Sequence, residues 1–565
     1  MKKNKNSKGK IIPEEKSFFE KHAWWMIGGI ILLTFFLYWN SLKGDFLNYD
    51  DTENVVNNVQ IQHLNFTHFF TTSNLYMYSP LTFISYALDY KIDGLHPYFF
   101  KLANLILHLI NVIFVFVFSN KLLKKKNLSI LITLLFAMHP INVDTVSWIS
   151  TRSNLLCTMF FLLSLILYFI YLEKNNYLYL ILSIIACCLS LLSKSTAVML
   201  PFVLLGIDYF RKRKMNLKLI LEKAPYFILC LAVGLLAIYF RTDSGTTQNI
   251  TNYNLFDRIL IICYSLLAYI IRAVFPFHLS EIYGYPVKVN GFLPLWYYIS
   301  PIIILLIVFA IYKMKSLKRE IIFGIFFFLA TIIITQIAML EDGFTADRYT
   351  YLPFIGIYFI IAVAYDYFSS RFHKIKIILR SVFLILLFFF SILTYQRSLV
   401  WMNTLTLFNH AIEQSPDAAF AYNSRGIAKF SGNDFDGALI DYNAAIKFNP
   451  SYSGAFYNRG IVFYATQDYE KALNDYSKAI ELNPNFASAY SARGILEMDI
   501  LKNDSLAIID YNKAILINPT FAQAFYNRGI AELRMNDKTK ACNDFWTVKN
   551  MGYSQADDLI DQNCH

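Results

Sequence analysis

The sequence predicts an all-α protein in two parts, a polytopic membrane bundle followed by a soluble array of helical repeats. Three observations carry this expectation. The 565-residue chain is 56% hydrophobic and 16% charged, where soluble domains run at roughly 45–50% and about 25%. Its apolar residues come in long uncharged runs from residue 23 to about 396. Beyond them one frame recurs: "SP" at 415–416 is followed by "NP" at 449–450, 483–484 and 518–519.

A spanning helix needs roughly 20 mainly apolar residues. Twelve segments qualify: 23–42, 102–120, 127–143, 153–172, 175–193, 195–209, 224–240, 255–275, 295–312, 321–340, 349–365 and 377–396. The first follows a basic stretch, 1–22, and lacks a small-residue cleavage site, so it reads as a signal-anchor. Basic clusters at 121–126, 211–214, 313–319 and 371–380 read as cytoplasmic loops. That confinement to short loops argues against the nucleic-acid partner that a net charge of +11 would otherwise imply. With every cluster inside, the spans between clusters come in even numbers, except between 214 and 313, where there are three. Segment 255–275, interrupted near its ends by Arg258 and Arg272, is the one expected not to cross. The expectation is about eleven spans, N-terminus inside and C-terminus outside, in a membrane domain 23–398 whose first outer loop is 43–101.

In the second part "RG" recurs at 425–426, 459–460, 493–494 and 528–529, and Ala438, Ala472, Ala507 and Ala541 form a further column. A 34-residue period with small residues in fixed columns and a closing Pro is the tetratricopeptide signature. The domain 399–565 then divides into a half repeat 400–416, repeats 417–450, 451–484, 485–519 and 520–553, and a capping helix 554–565. Stacked units form a solenoid whose concave face binds extended peptides or partner helices. The column Ser424, Asn458, Ala492, Asn527 is either a groove-facing ladder or a solvated helix face. None of the seven cysteines has C-x-x-C or metal spacing; Cys542 and Cys564 would pair in an oxidising compartment.

"FLNYDDTENVVNN", 46–58, sets Asp50 and Asp51 just beyond the first span. Such a pair either serves a turn or supplies a general base, because neighbouring like charges raise one member's pKa. Three cations lie near apolar runs on the outer side: Arg152, Lys194, which interrupts an otherwise uncharged stretch from 175 to 207, and Arg348. Charges at membrane depth tend to mark function, and a lipid phosphate is their natural partner. The plainer alternative is snorkelling, or pairing with an acid such as Asp347. "MHPINVDTVSW" places His139 and Asp144 at the outer end of a span, where a lone His is commonly structural. No P-loop, nucleophile elbow or zinc motif points to ATP hydrolysis or a peptidase.

These stretches, with "YSPLTFISYALD", "KLANLILHLIN", "FAMHPINVDTVSWISTRSNLL", "LLSKSTAVMLP" and "DRYTYLPFIGIYF" in that order before the repeats, resemble the transmembrane and tetratricopeptide-repeat family of protein O-mannosyltransferases. The resemblance implies a GT-C membrane fold with an extracytoplasmic active site. It implies a polyprenyl-phosphate-linked sugar donor, with mannose the expected sugar, and transfer to Ser or Thr hydroxyls. By position, Asp50 and Asp51 match the family's acidic pair, either being the base; Arg152, Lys194 and Arg348 fall in motif regions and are the candidates for the donor phosphate; His139 matches the family's His-Pro. Lys101 departs from the pattern by standing where related chains often have His. No cofactor is expected to be required, although a divalent metal bridging donor phosphate and acid stays open. Expected partners are the donor, an acceptor protein or peptide at the solenoid, and membrane lipid. The Lys-, Asn-, Ile- and Phe-rich usage and short loops favour a bacterial inner membrane with the solenoid in the periplasm. The rival readings are a non-catalytic membrane scaffold and a transferase acting on glycolipid or polysaccharide.

Overall fold

The computed structural model describes residues 18–72, 78–214, 216–243, 253–281, 283–284, 286, 288–314, 316–337 and 345–564. Most of the basic stretch 1–22 lies outside them. The chain divides at 406/407 into two compact units. Among the described residues both are helical, with isolated β-bridges at Tyr283–Thr345 and Val289–Phe292.

In the first unit every segment expected to span contains helix, but fewer helices have the length and composition to cross a bilayer. Among the described residues seven do: Lys21–Lys43, Pro97–Leu123, Ile149–Lys174, Leu217–Phe240, Leu295–Lys313, Lys318–Gln336 and Lys376–Val400. An eighth follows if Lys126–Met138 and Pro140–Ser147, bent by 51° at their junction, form one broken span. The chain is thus a multi-pass membrane protein, and the figure of eleven is not reproduced. The shortfall has local causes. Tyr177–Ser193 and Ser195–Phe210 are short apolar helices separated at Lys194, and Phe354–Arg371 ends in the polar turn 369–371.

The break at 139–151 organises this unit. Here the chain passes through three short turns, Pro140–Asn142, Val143–Ser147 and Ile149–Thr151, before entering the helix Arg152–Lys174. A broken helix in an apolar setting leaves carbonyls that protein groups must satisfy. Side chains do so one by one: Asn142 donates to Phe136 O at 2.7 Å, Thr394 to Met138 O at 2.8 Å, Lys101 to Ser147 O at 3.2 Å, Asn104 to Trp148 O at 2.9 Å and Tyr86 to Ile149 O at 2.9 Å. Three other helices of the unit, Pro80–Asp93, Pro97–Leu123 and Lys376–Val400, are thereby tied to the break.

The second unit repeats one pair of helices four times: Ala419–Ser431 with Phe435–Phe448, Ser453–Ala465 with Tyr469–Leu482, Ala487–Asp499 with Asp504–Ile517, and Ala522–Arg534 with Lys538–Asn550. Thr404–Gln414 precedes them, and Asp557–Asn563 follows. The second helix of each pair starts on a side-chain cap, from Asp434, Asp468, Asn503 and Asp537 in turn. The expected alanine columns are fully buried. The "RG" column has two separate reasons. Each glycine lies against an aromatic ring of the second helix; a Cβ on Gly426, Gly460, Gly494 or Gly529 would come within 2.6–2.8 Å of Tyr442, Tyr476, Tyr511 or Phe545. Each arginine makes a two-pronged pair with an aspartate of the same ring-bearing helix: Arg425–Asp441, Arg459–Asp475, Arg493–Asp510 and Arg528–Asp544. A disulfide between Cys542 and Cys564 fastens the terminal helix to the last repeat.

Ser424 and Asn527 are buried and Asn458 is half-buried. Asn458 donates to Asn423 Oδ1 of the preceding repeat at 2.9 Å, and Asn527 accepts from Gln523 at 3.0 Å. Asn458 thus contacts the preceding repeat, whereas Asn527 is bonded within its own helix.

Candidate functional site

The two neighbouring aspartates have different surroundings. Asp51 is fully buried. It stands at the start of the Thr52–Val56 turn, yet its side chain does not cap that turn. One carboxylate oxygen accepts from Leu47 N at 3.0 Å, and the other from Ser150 N at 2.9 Å and Ser150 Oγ at 2.5 Å. Burial pushes its carboxyl up from the usual range, against the pull of these donors and of Lys101. Asp51 thus rivets the acidic turn to the break at 139–151. The turn is also held at its other end, where Asp45 N donates to Met402 O at 2.8 Å and Asn48 N to Thr404 Oγ1 at 2.9 Å. Asp50, one residue earlier, is only half-buried and lies close enough to Arg348 and Tyr349 to interact electrostatically with both.

An aromatic wall connects that turn to the cations. Tyr49 stacks on Trp148, with centroids 5.0 Å apart and planes 8° apart, and Trp148 stacks in turn on Trp401 at 5.5 Å. The Arg348 guanidinium lies 5.1 Å from the Trp148 ring centre and 5.3 Å from that of Tyr349, while Lys194 Nζ is 5.9 Å from Tyr349. Two positive groups therefore flank one ring. Among the described residues their countercharge is loose: Arg348 NH1 is 3.8 Å from Asp144 Oδ2, which also accepts its backbone N–H at 3.2 Å, Asp50 acts on Arg348 electrostatically, and Lys194 donates to a neutral amide oxygen, that of Asn154, at 2.7 Å. Asp144 Oδ1, Asn154 Nδ2 and Trp148 Nε1 are buried without a hydrogen-bond partner. Each belongs to a residue that touches one of the two cations. The arrangement gathers two cations, buried polar atoms that lack partners among the described residues, and a nearby carboxylate.

The remaining expected residues sit differently. Arg152 is fully buried; it is ion-paired with Asp89, donates to Asn104 Oδ1 at 2.8 Å and Phe100 O at 2.7 Å, and lies over Tyr86. Its guanidinium is satisfied inside the protein. His139 accepts from Ile141 N at 3.2 Å, capping the turn Pro140–Asn142, and its ring packs on Phe390. Asp347 is held by Arg397 at 3.1 Å and Tyr283 at 3.0 Å. The structure thus brings together Asp50, Asp144, Lys194 and Arg348, and leaves Arg152, His139 and Asp347 in supporting contacts. Tyr49, Trp148, Asn154 and Tyr349 were not singled out from sequence, although all four lie inside the motif stretches. Among the described residues no group of three or more His, Cys, Asp or Glu side chains is placed to hold a metal ion.

Residues 80–240 match the family model described as dolichyl-phosphate-mannose-protein mannosyltransferase, and 428–467 and 454–486 match tetratricopeptide models. A protein O-mannosyl-transferase of Caenorhabditis elegans is 27% identical over 416 residues, covering 70% of this chain and 58% of that protein. The human protein O-mannosyl-transferases TMTC4 and TMTC2 are 33% identical over 168 residues and 31% over 152, each covering 25% of this chain but 22% and 18% of their own length. The chain thus spans well under two thirds of the curated relatives it matches. Sequence motifs, family models and relatives point the same way: residues 80–240 are similar to protein mannosyltransferases and residues 428–486 to tetratricopeptide repeats, and protein O-mannosyl-transferases are similar over 70% of the chain.

Proposed function

We propose that this chain is a membrane glycosyltransferase that moves a sugar, with mannose the first choice, from a polyprenyl-phosphate carrier to Ser or Thr hydroxyls of proteins. The observation that carries this reading is the unequal pair: Asp51 fixes the turn, whereas Asp50 is half-buried and near enough to Arg348 to interact with it electrostatically. In this reading Asp50 accepts the proton of the acceptor hydroxyl as its oxygen bonds to the anomeric carbon. The bond from that carbon to the carrier phosphate breaks, and the phosphate leaves with the electron pair. Arg348 and Lys194 hold the negative charge that develops on it, with Asn154 and Asp144 setting their positions. Attack opposite the leaving phosphate inverts the anomeric centre.

No metal is needed in this scheme, because two cations meet the phosphate. A metal bridged through Asp51 would have to displace three hydrogen-bond donors. The disulfide supports placing the solenoid in an oxidising compartment, and with the composition it supports a bacterial inner membrane with a periplasmic solenoid. There the solenoid engages acceptors or partner proteins.

The test is Asp50→Asn, expected to lower transfer about 10²–10⁴-fold while leaving thermal unfolding unchanged. Envelope proteins of cells with and without the gene are compared in parallel by glycopeptide mass spectrometry. Unchanged Ser/Thr glycopeptides would exclude protein acceptors and turn attention to glycolipid. Full cellular function in the Asp50→Asn strain would favour a scaffold.

A further inference from the structure

A second polar site lies at the ends of candidate spanning helices, away from the acidic turn. A cavity of about 400 Å³ opens between three loops. Lys124 enters it from the end of Pro97–Leu123, Glu173 and Asn175 from the end of Arg152–Lys174, Arg211 and Arg213 from the turn that closes Leu200–Phe210, and Lys218 from the first turn of Leu217–Asp243. These are loops that the positive-inside pattern assigns to the cytoplasm.

The charges lining it do not cancel. Glu173 is paired with Lys121 at 2.8 Å, and Glu222, also in the wall, with Arg213 at 3.0 Å. Arg211 donates to a neutral acceptor, Lys121 O, at 2.9 Å. Among the described residues Lys124 and Lys218 form no ion pair. Three cations are thus left over around one cavity. Beside it, Leu217, Ile220 and Leu221 on the helix that carries Lys218 are exposed, as are Tyr177 and Leu178 at the start of the neighbouring helix Tyr177–Ser193. A cationic cavity with an apolar lip at the end of spanning helices matches an amphiphile with an anionic head better than a small soluble anion, which would make no use of the lip.

We propose that this cavity holds the phosphate of an anionic membrane lipid, with Lys124, Arg211 and Lys218 on the headgroup and the acyl chains lying along Leu217, Ile220 and Leu221. The proposal is independent of the transfer reaction. It is tested on the full-length protein, purified in neutral detergent and examined by native mass spectrometry with dioleoylphosphatidylglycerol, dioleoylphosphatidylcholine or orthophosphate. One phosphatidylglycerol is expected to be retained in preference to phosphatidylcholine. The double variant Lys124→Asn, Lys218→Gln is expected to weaken that retention about tenfold, and each single change to weaken it in part. Asn suits the left-handed backbone of position 124, where φ is 56°, and both lysines are exposed. A control pair in another basic loop, Lys313→Gln with Lys318→Gln, is expected to retain the lipid as the parent does. Undiminished retention in the double variant, or an equal loss in the control pair, would overturn the site. Displacement of the lipid by orthophosphate would make it a small-anion site.

Discussion

In the solenoid four arginines each meet an aspartate through two N–H···O bonds of 2.6–2.8 Å. In the membrane unit Arg348 stands 3.8 Å from Asp144, and one oxygen of that acid has no hydrogen bond at all. The chemistry of the partners is the same, but the closure differs. A bidentate pair uses both carboxylate oxygens and most of the guanidinium, so nothing remains for a ligand. A loose pair keeps a cation in place without committing both of its donors to the one carboxylate. Completeness of pairing separates a strut from a binding group more reliably than residue type or burial does, and Arg152, saturated by Asp89, Asn104 and Phe100, falls with the struts.

The contrast can be broken in both directions. Arg348→Ala should produce the largest effect, a fall of about 10²–10³ in sugar transfer measured on membranes, with the melting temperature unmoved. An equal loss of stability would mean that Arg348 is a strut after all. Arg459→Ala should do the reverse. It exposes a partly buried aspartate to an unpaired state and costs about 2 kcal/mol of solenoid stability, read by denaturant unfolding, with transfer per folded molecule preserved. The smallest effect concerns Glu532, whose carboxyl burial and the nearby Asp544 push up to about 7. The folded solenoid then holds a proton that the unfolded chain has released between about pH 4.5 and 7, so stability declines as pH rises across that window, by on the order of 1–2 kcal/mol. Glu532→Gln should flatten the decline in thermal melts taken from pH 5 to 8.

The helical architecture was legible because it rests on periodicities the chain displays openly: long apolar runs, and a frame repeating every 34 residues. The reason for the "RG" column was nearly legible too. An aspartate follows each arginine by 16 residues at 425/441, 459/475 and 528/544, and by 17 at 493/510, where the third unit has its extra residue. The span number was less accessible, since hydropathy does not register where a helix breaks, as at Lys194 and at 139–151. The functions of Asp50 and Asp51 were not separable in sequence, because the difference is made by Ser150, 99 positions away. The state of Arg152 likewise depends on Asp89 and Asn104, contacts that only the folded chain creates.

The bond between Cys542 and Cys564 joins residues 22 apart, tying the helix Asp557–Asn563 to the fourth repeat. Stacked repeats lean only on their neighbours, so such a stack melts inward from whichever terminus is weakest. Fastening Asp557–Asn563 to the fourth repeat holds that neighbour in place and resists such unzipping there. The solenoid's endurance is therefore tied to the redox poise of the space around it: where thiols stay reduced, the contact between Asp557–Asn563 and the fourth repeat loses its covalent support.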